Sequence, residues 1–524
     1  MPPLPLTSRR FMKKIPLLQS AAACCAAVLF IAPGFGQVGR SFPSEKRLVI
    51  DPVTGTPIDF LTSAPAGDSK IYQTHPDWTS DGQWVIFRSG RVAGQVMAVN
   101  EATGDIVQVT EKGYMGMLCV ARKSMNLYLM RDLGAPVRRR PDGTPDVAGT
   151  PAFQEPVLEA APPPPPEGAG PNGAGGPPFE GKKKKGGFMR PRGPFQIVEV
   201  HLGQLFADSL AGKMGPADSY ERVCGTMPPE MHASGNMGLD ADENYMYFSV
   251  QGGDVGKDLD VNNPAYAQYV EPGTNHAKPF GPRGMGGGPS GLRSMNLQTG
   301  EVTKIVDVPF QIGHVQTNPW VHGEIVFCWE TGGKAPQRTW TVMADGTGLR
   351  PLWPETQFDW VTHEAVITKD EVAIAILAHR HPGMPETTPW GNLSSTGEHP
   401  SGVGIVNLRT HEMRIVGQVP IGDPGHSIWH VNGSADGRWA AADDFQYRLW
   451  IIDRHTGEMM LLASMQRMVK GMPADHIHPT FSADGTKIEI QSAMISPNGH
   501  SLNICVVPLP RSWLARNYGL RAAE

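Results

Sequence analysis

Short apolar runs separated by polar turn residues fill most of this chain, and they come in a repeating order. Residues 77–89, 115–132, 236–251, 318–331, 362–379, 431–443 and 480–493 each read as two strands around a polar turn. Further pairs follow at 96–109, 294–306, 339–352, 403–416 and 449–462, bent at Thr103-Gly104, Thr299-Gly300, Asp345-Gly346, Thr410-His411 and Thr456-Gly457. Four short strands per unit, at a spacing of roughly 42–48 residues where nothing is inserted, are counted seven times. The pattern predicts an all-β protein, a seven-bladed β-propeller with four-stranded blades. A sandwich or stacked solenoid would leave the grouping in fours unexplained.

Each blade of such a ring runs up, down, up and down from the axis outward. The start of the first strand, the end of the second and the start of the third therefore share one face. Long insertions fall on that face, at 133–194 in blade two, 252–293 in blade three and 380–402 in blade five. The first carries the proline run 162–166, the glycine-rich 168–176 and the lysine run 182–185. Such composition cannot bury a core, so about 135–194 reads as a disordered or lid-like loop. The lysines read as a solvated tether, with attraction of a polyanion to the rim as the alternative.

Length and charge narrow the classes. The 524 residues carry a formal charge of −5 with no single-sign face, which argues against a nucleic-acid or membrane-surface role. Arg9, Arg10, Lys13 and Lys14 precede the apolar run 15–31 and the small residues of 32–36. This reads as an export signal ending near residue 37 and approaching the twin-arginine type, with a membrane anchor as the alternative. Residues 38–524 are then one propeller domain, periplasmic or secreted, with no stable membrane insertion after cleavage. Cys119, Cys224, Cys328 and Cys505 form no CxxC and read as buried free thiols.

Histidines mark the repeat. Asp475-His476-Ile477-His478-Pro479 opens the last unit, His430-Val431-Asn432 opens the one before it, and His75-Pro76-Asp77 opens the first. Imidazoles at convergent strand starts suit a borderline divalent metal, so His430, His476 and His478 are the candidate ligands. For His75, His232 and His426 a loop hydrogen bond is the preferred reading. Blade four begins at Gly313-His314-Val315-Gln316-Thr317-Asn318, ends its second strand at Glu330, and starts its third at Gln337-Arg338. Arg338 and His363 project from neighbouring blades toward the histidine rim, a carboxylate fork and a base poised near neutral pH. The bland alternative is an arginine tying a loop to Glu330. Gln316, Asn318, Glu330 and Gln337 are the candidate substrate contacts.

The stretches 313–320, 330–340 and 360–364, then Trp429-His430 and His476-Ile477-His478-Pro479, resemble in this order the oligogalacturonate lyase family. The resemblance covers roughly residues 310–510, and the earlier blades match only through generic TolB-like repeats. It implies a seven-bladed lyase, usually manganese-dependent, that shortens oligogalacturonates by β-elimination to 4,5-unsaturated products. It further implies metal on His430, His476 and His478, with Arg338 and His363 catalytic. An acidic oligosaccharide is the expected partner, nucleic acid is not, and the chain is expected to be a monomer or homodimer. The family's fourth ligand, a glutamine, is replaced by Pro473, so Asp475, Gln316 or water takes its place. His-Ile-His stands for the usual His-Pro-His, and the export signal and rim insertions are departures too. The alternatives are a non-catalytic periplasmic TolB-like propeller binding protein partners, a metal-dependent hydrolase, or a lyase on another uronate polymer.

Overall fold

Second strands of the repeat are apolar without a break because both their faces are covered. Trp84–Ser89, Glu324–Trp329 and Trp439–Asp444 are buried at every position, each sandwiched between neighbouring blades. The computed structural model describes residues 37–134, 193–279, 285–331, 335–356, 359–379, 401–419, 427–465, 477–499 and 501–518, and a two-stranded pairing of Arg138–Arg139 with Pro145–Asp146. These residues form the expected seven-bladed, all-β propeller, with antiparallel sheets of four or five strands. The innermost strands of blades one to seven are Asp68–Lys70, Met115–Val120, Ala233–Leu239, Ile312–Thr317, Asp359–Thr368, Ile428–Gly433 and Thr480–Phe481. The long insertions lie between second and third strands, as the pattern implied. All four described cysteines are buried.

The N-terminal end of the ring differs from the sequence reading. Blade one does not begin near Asp77; its inner strand is Asp68–Lys70, and Trp78 makes only an isolated bridge to Val85. The chain also closes the ring on itself. Arg47–Ile50 and Pro57–Phe60 add to blade seven, with Phe60 opposite Cys505 and Asp59 opposite Val506. A ten-residue helix, Leu202–Ala211, joins the third and fourth strands of blade two and stacks Phe206 on Trp84 at 4.2 Å. Neither feature follows a period of four strands, so neither was visible as a repeat.

Inner strands share one irregularity that positions the site. In blades four, five and six the register slips by one residue between Gly313 and Gln316, Val361 and Glu364, and Ile428 and Val431. Such a bulge turns one side chain out of the ladder toward the axis. His314, His363 and His430 occupy those positions, and His478 holds the matching place before the short inner strand of blade seven. His314 and His478 adopt left-handed backbone (φ 46° and 50°), a strained conformation for a residue with a Cβ. Blades two and three put Gly116 and Gly235 there instead; a Cβ on Gly116 would lie 2.3 Å from the Gly235 carbonyl oxygen. One half of the hub is thus closed by backbone and the other half is lined by imidazole.

Ring closure gives a stability prediction. Phe60 is fully buried against Trp439, Ile451 and Val507, whereas Leu48 on the outermost strand is 69% exposed. Phe60→Ala is expected to lower the unfolding free energy by roughly 3–5 kcal/mol and Leu48→Ser by less than about 0.5 kcal/mol. Urea denaturation of both variants checks this, and equal losses would contradict the latch.

Candidate active site at the hub

Four imidazoles meet on the face that bears the insertions. Ring centres of His363 and His430 are 4.2 Å apart, those of His430 and His478 4.0 Å, and His314 stacks toward His363 at 5.8 Å. Each ring is fixed by a partner that sets its tautomer. His430 Nδ1–H donates to Asp443 at 2.8 Å, which puts its lone pair on Nε2. Paired with His430 and close to His478, the buried Asp443 carboxyl stays below its ordinary range, against the upward push of burial. His363 Nδ1–H donates to the Trp429 carbonyl at 2.6 Å, so its lone pair too is on Nε2. The oxygen of the Gln491 amide accepts the Lys70 N–H, so its nitrogen donates to His478 Nδ1 at 3.1 Å. That arrangement leaves the ring proton of neutral His478 on Nε2.

Arg338 sits beside these rings among carboxylates. Its guanidinium lies 3.7 Å from Glu330 and 3.6 Å from Glu364. Burial pulls the guanidinium down, but the negative groups around it prevail and hold it well above its usual range. His314 Nδ1 is 2.9 Å from Glu364 and 3.2 Å from Arg338. Arginine can only donate and a carboxylate accepts, so the shorter Glu364 contact is the hydrogen bond. Counted together, the rim brings one guanidinium against the three carboxylates of Glu330, Glu364 and Asp443.

The segment after Lys70 leaves its sheet and passes through the middle of this group. Tyr72 places its ring 4.8 Å from His314, 5.3 Å from His478, and 6.2 Å from both His363 and His430. Fully buried Lys70 bonds Asp77 and Thr480, Ile71 N–H donates to Asp77, and the Asn432 amide donates to the Gln73 carbonyl. The segment ends at His75, next to Leu239, Asp240 and Thr317 at the far ends of the inner strands. His75 therefore lies on the opposite face from the rim.

Several of the expected residues do converge: Arg338, His363, His430, His478 and Glu330 share one cluster. His476, Asp475, Pro473 and His426 lie outside the described residues. Gln316 is clamped to blade five, donating to the Glu364 carbonyl and accepting from Val366 N–H. Asn318 follows the far end of its strand and bonds Glu324 and Lys369. Gln337 ties down the Trp353–Glu355 turn. These three amides serve the scaffold, because a buried amide must satisfy both its ends. Sequence reading missed Tyr72, the role of His314, and Asp443; the recurring glycine-or-histidine at the bulge was the available signal for His314.

Two other groups could hold a cation by spacing alone. His314, Cys328 and Glu330 lie together, but Arg338 stands beside them and burial pushes the Cys328 thiol well up, so it is neutral. Asp240, Asp242 and His322 form an outer cluster, with Asp240 already accepting from Tyr247 and Gly323.

The ring resembles the oligogalacturonate lyases in fold. Two solved structures carry the likeness: an oligogalacturonate lyase in complex with manganese (16% identity, TM-score 0.59, covering 91% of this chain and 99% of that one) and the Vibrio parahaemolyticus oligogalacturonate lyase (14% identity, TM-score 0.59, covering 91% and 100%). No family model and no curated protein matches the sequence. Among the described residues no helix is long and apolar enough to cross a membrane.

His75 makes the pH prediction. Its Nε2–H donates to the Met237 carbonyl and its Nδ1 accepts from Thr74. Burial outweighs the Met237 bond and pushes the ring down to about 4, from an ordinary 6.5. Between those values the unfolded chain binds the extra proton. The stability this ring contributes is complete above pH 6.5 and falls away toward pH 4, by ~3 kcal/mol. His75→Gln should flatten the decline of unfolding free energy across this interval; an unchanged slope would contradict the assignment.

Proposed function

We propose that this chain is an exported lyase that cleaves short uronate oligosaccharides by metal-assisted β-elimination, with oligogalacturonate the favoured substrate. The observation that carries the reading is the convergence of His363, His430 and His478, from three blades, with His314 and its neighbour Arg338 alongside His363. The fold likeness supports it, since the two solved structures compared above are oligogalacturonate lyases.

The donor set fits a divalent cation such as manganese. His430 presents Nε2 with a carboxylate behind it, the arrangement that raises imidazole basicity toward a metal. His478 lies next to it and would join by turning the Gln491 amide, at the loss of the Lys70 N–H bond; His476 is the proposed third ligand. Charge favours a cation too. With three carboxylates against one guanidinium, the rim repels a polyuronate unless two further positive charges offset the excess. Bound there, the cation would supply a Lewis acid for the uronate carboxylate and for the charge that develops on it.

The protein's own groups carry the proton. His363, oriented by the Trp429 carbonyl, holds its lone pair on Nε2 and takes the C5 proton as the C4–O bond breaks. Arg338 adds a permanent positive charge beside the reacting carboxylate. Burial of the cluster keeps water from competing, which suits elimination over hydrolysis.

Incubation of the manganese-loaded protein with oligogalacturonate should yield products with ultraviolet-absorbing unsaturated ends and no added mass of water. His363→Ala should lower this rate by at least about 10²-fold with metal retained; loss of the metal would make His363 a ligand. Products heavier by water would point to a hydrolase, and no product from any oligouronide would leave the binding-propeller reading. The groups hydrogen-bonded behind the imidazoles give a separate expectation. Asp443→Asn should weaken manganese binding by about 10–100-fold, while Gln491→Glu, which can accept from His478 Nδ1–H, should strengthen it. Calorimetric titration decides, and an affinity indifferent to both changes would remove the metal from this hub.

A further inference from the structure

We infer that Tyr72 is the proton donor to the departing glycosidic oxygen, an assignment that rests on the elimination proposed above. Elimination moves two protons. The one on C5 goes to His363, and the sugar oxygen leaving C4 needs another, because a bare alkoxide is a poor leaving group. The four imidazoles have other tasks: His363 is the acceptor, His430 and His478 would hold the cation, and His314 is tied between Glu364 and Glu330.

Tyr72 is the remaining hydroxyl at the centre of the group. Its ring touches His314 and His478 and lies within 6.2 Å of His363 and His430. Its ring packs on His314, whose Nδ1 lies 3.2 Å from the Arg338 guanidinium. A guanidinium one side chain away stabilises the phenolate that proton donation leaves behind. A phenol is also a far better proton source than an alcohol, with an ordinary value of about 10.

The placement is built rather than incidental. Before the ring, Lys70, Ile71 and Asp77 interlock and the Lys70 ammonium donates to Thr480. After it, Asn432 grips the Gln73 carbonyl and His75 anchors on Met237. Pinning on both sides limits movement of the ring, which a positioned donor requires. The competing explanation is that the ring only fills the hub.

The proton balance closes. As the C5–H bond breaks, its electron pair forms the C4–C5 double bond and expels the C4 oxygen, which takes the Tyr72 proton. His363 is left protonated and Tyr72 a phenolate. Return of a proton from the imidazolium to the phenolate restores the enzyme, and no outside reagent is consumed.

Leaving-group dependence tests the role. The manganese-loaded wild type and Tyr72→Phe are compared on oligogalacturonate and on a galacturonide carrying a nitrophenoxy group at C4, which departs without a proton. Tyr72→Phe keeps the ring and so the packing. It should lose about 10²–10⁴-fold in kcat on oligogalacturonate and less than about tenfold on the aryl compound. Equal losses on both substrates would make Tyr72 a packing residue and overturn the inference, as would no loss on either. Tyr72→His, which keeps a ring and a donor, should retain more oligogalacturonate activity than Tyr72→Phe; equal activity also overturns it. A wild type inert on both compounds fails the elimination reading itself, whereas an active wild type with an unaffected Tyr72→Phe fails only the assignment of Tyr72.

Discussion

Closing seven sheets into a ring forces the innermost strands to meet around one axis, and in blades two to six a bulge in the inner strand decides which side chain faces it. That constraint governs everything else in this molecule. Blades two and three put glycine at the bulge and let their backbones touch. Blades four to six put histidine there and blade seven places His478 just before its inner strand, at the cost of left-handed backbone for His314 and His478. Strain of that kind persists only where the surrounding structure holds it, and here Glu364 holds His314 while Gln491 and Asp443 hold His478.

Charge explains why the gathered imidazoles need company. Arg338 does not stand ready as an open fork; Glu330 and Glu364 flank it, and Asp443 adds a third carboxylate behind His430. An anionic sugar approaching this rim would meet more negative charge than positive. On the proposed reading, a divalent cation on the histidines would cancel that excess and couple cation and substrate by electrostatics before any chemistry begins. Tyr72, threaded through the middle, links the two halves of the site: its segment is anchored on one side by the Lys70–Asp77 pair and on the other by Asn432.

The blades were legible because a strand buried on both faces must be apolar throughout and must end in turn residues. Arg338, His363, His430 and His478 were legible because the up-and-down order of strands puts their positions on one face. What failed has a common cause in pairings too distant to leave a local pattern. Phe60 meets Cys505 across the ring closure, and Asn432 reaches Gln73 from the sixth blade to the first. The unit beginning at His75 imitates the repeat in spelling, yet its chain has already crossed the hub. Gln316, Asn318 and Gln337 have the chemistry of substrate contacts, but the backbone groups around them claim their amides first.

The central claim is that the histidine half of the hub holds one divalent cation. Electron spin echo spectroscopy of the manganese-loaded protein addresses it directly. The account predicts one manganese per chain with nitrogen modulation from at least two imidazoles, reduced in His430→Ala. A manganese signal without nitrogen coupling, or one unaltered by that substitution, would contradict it.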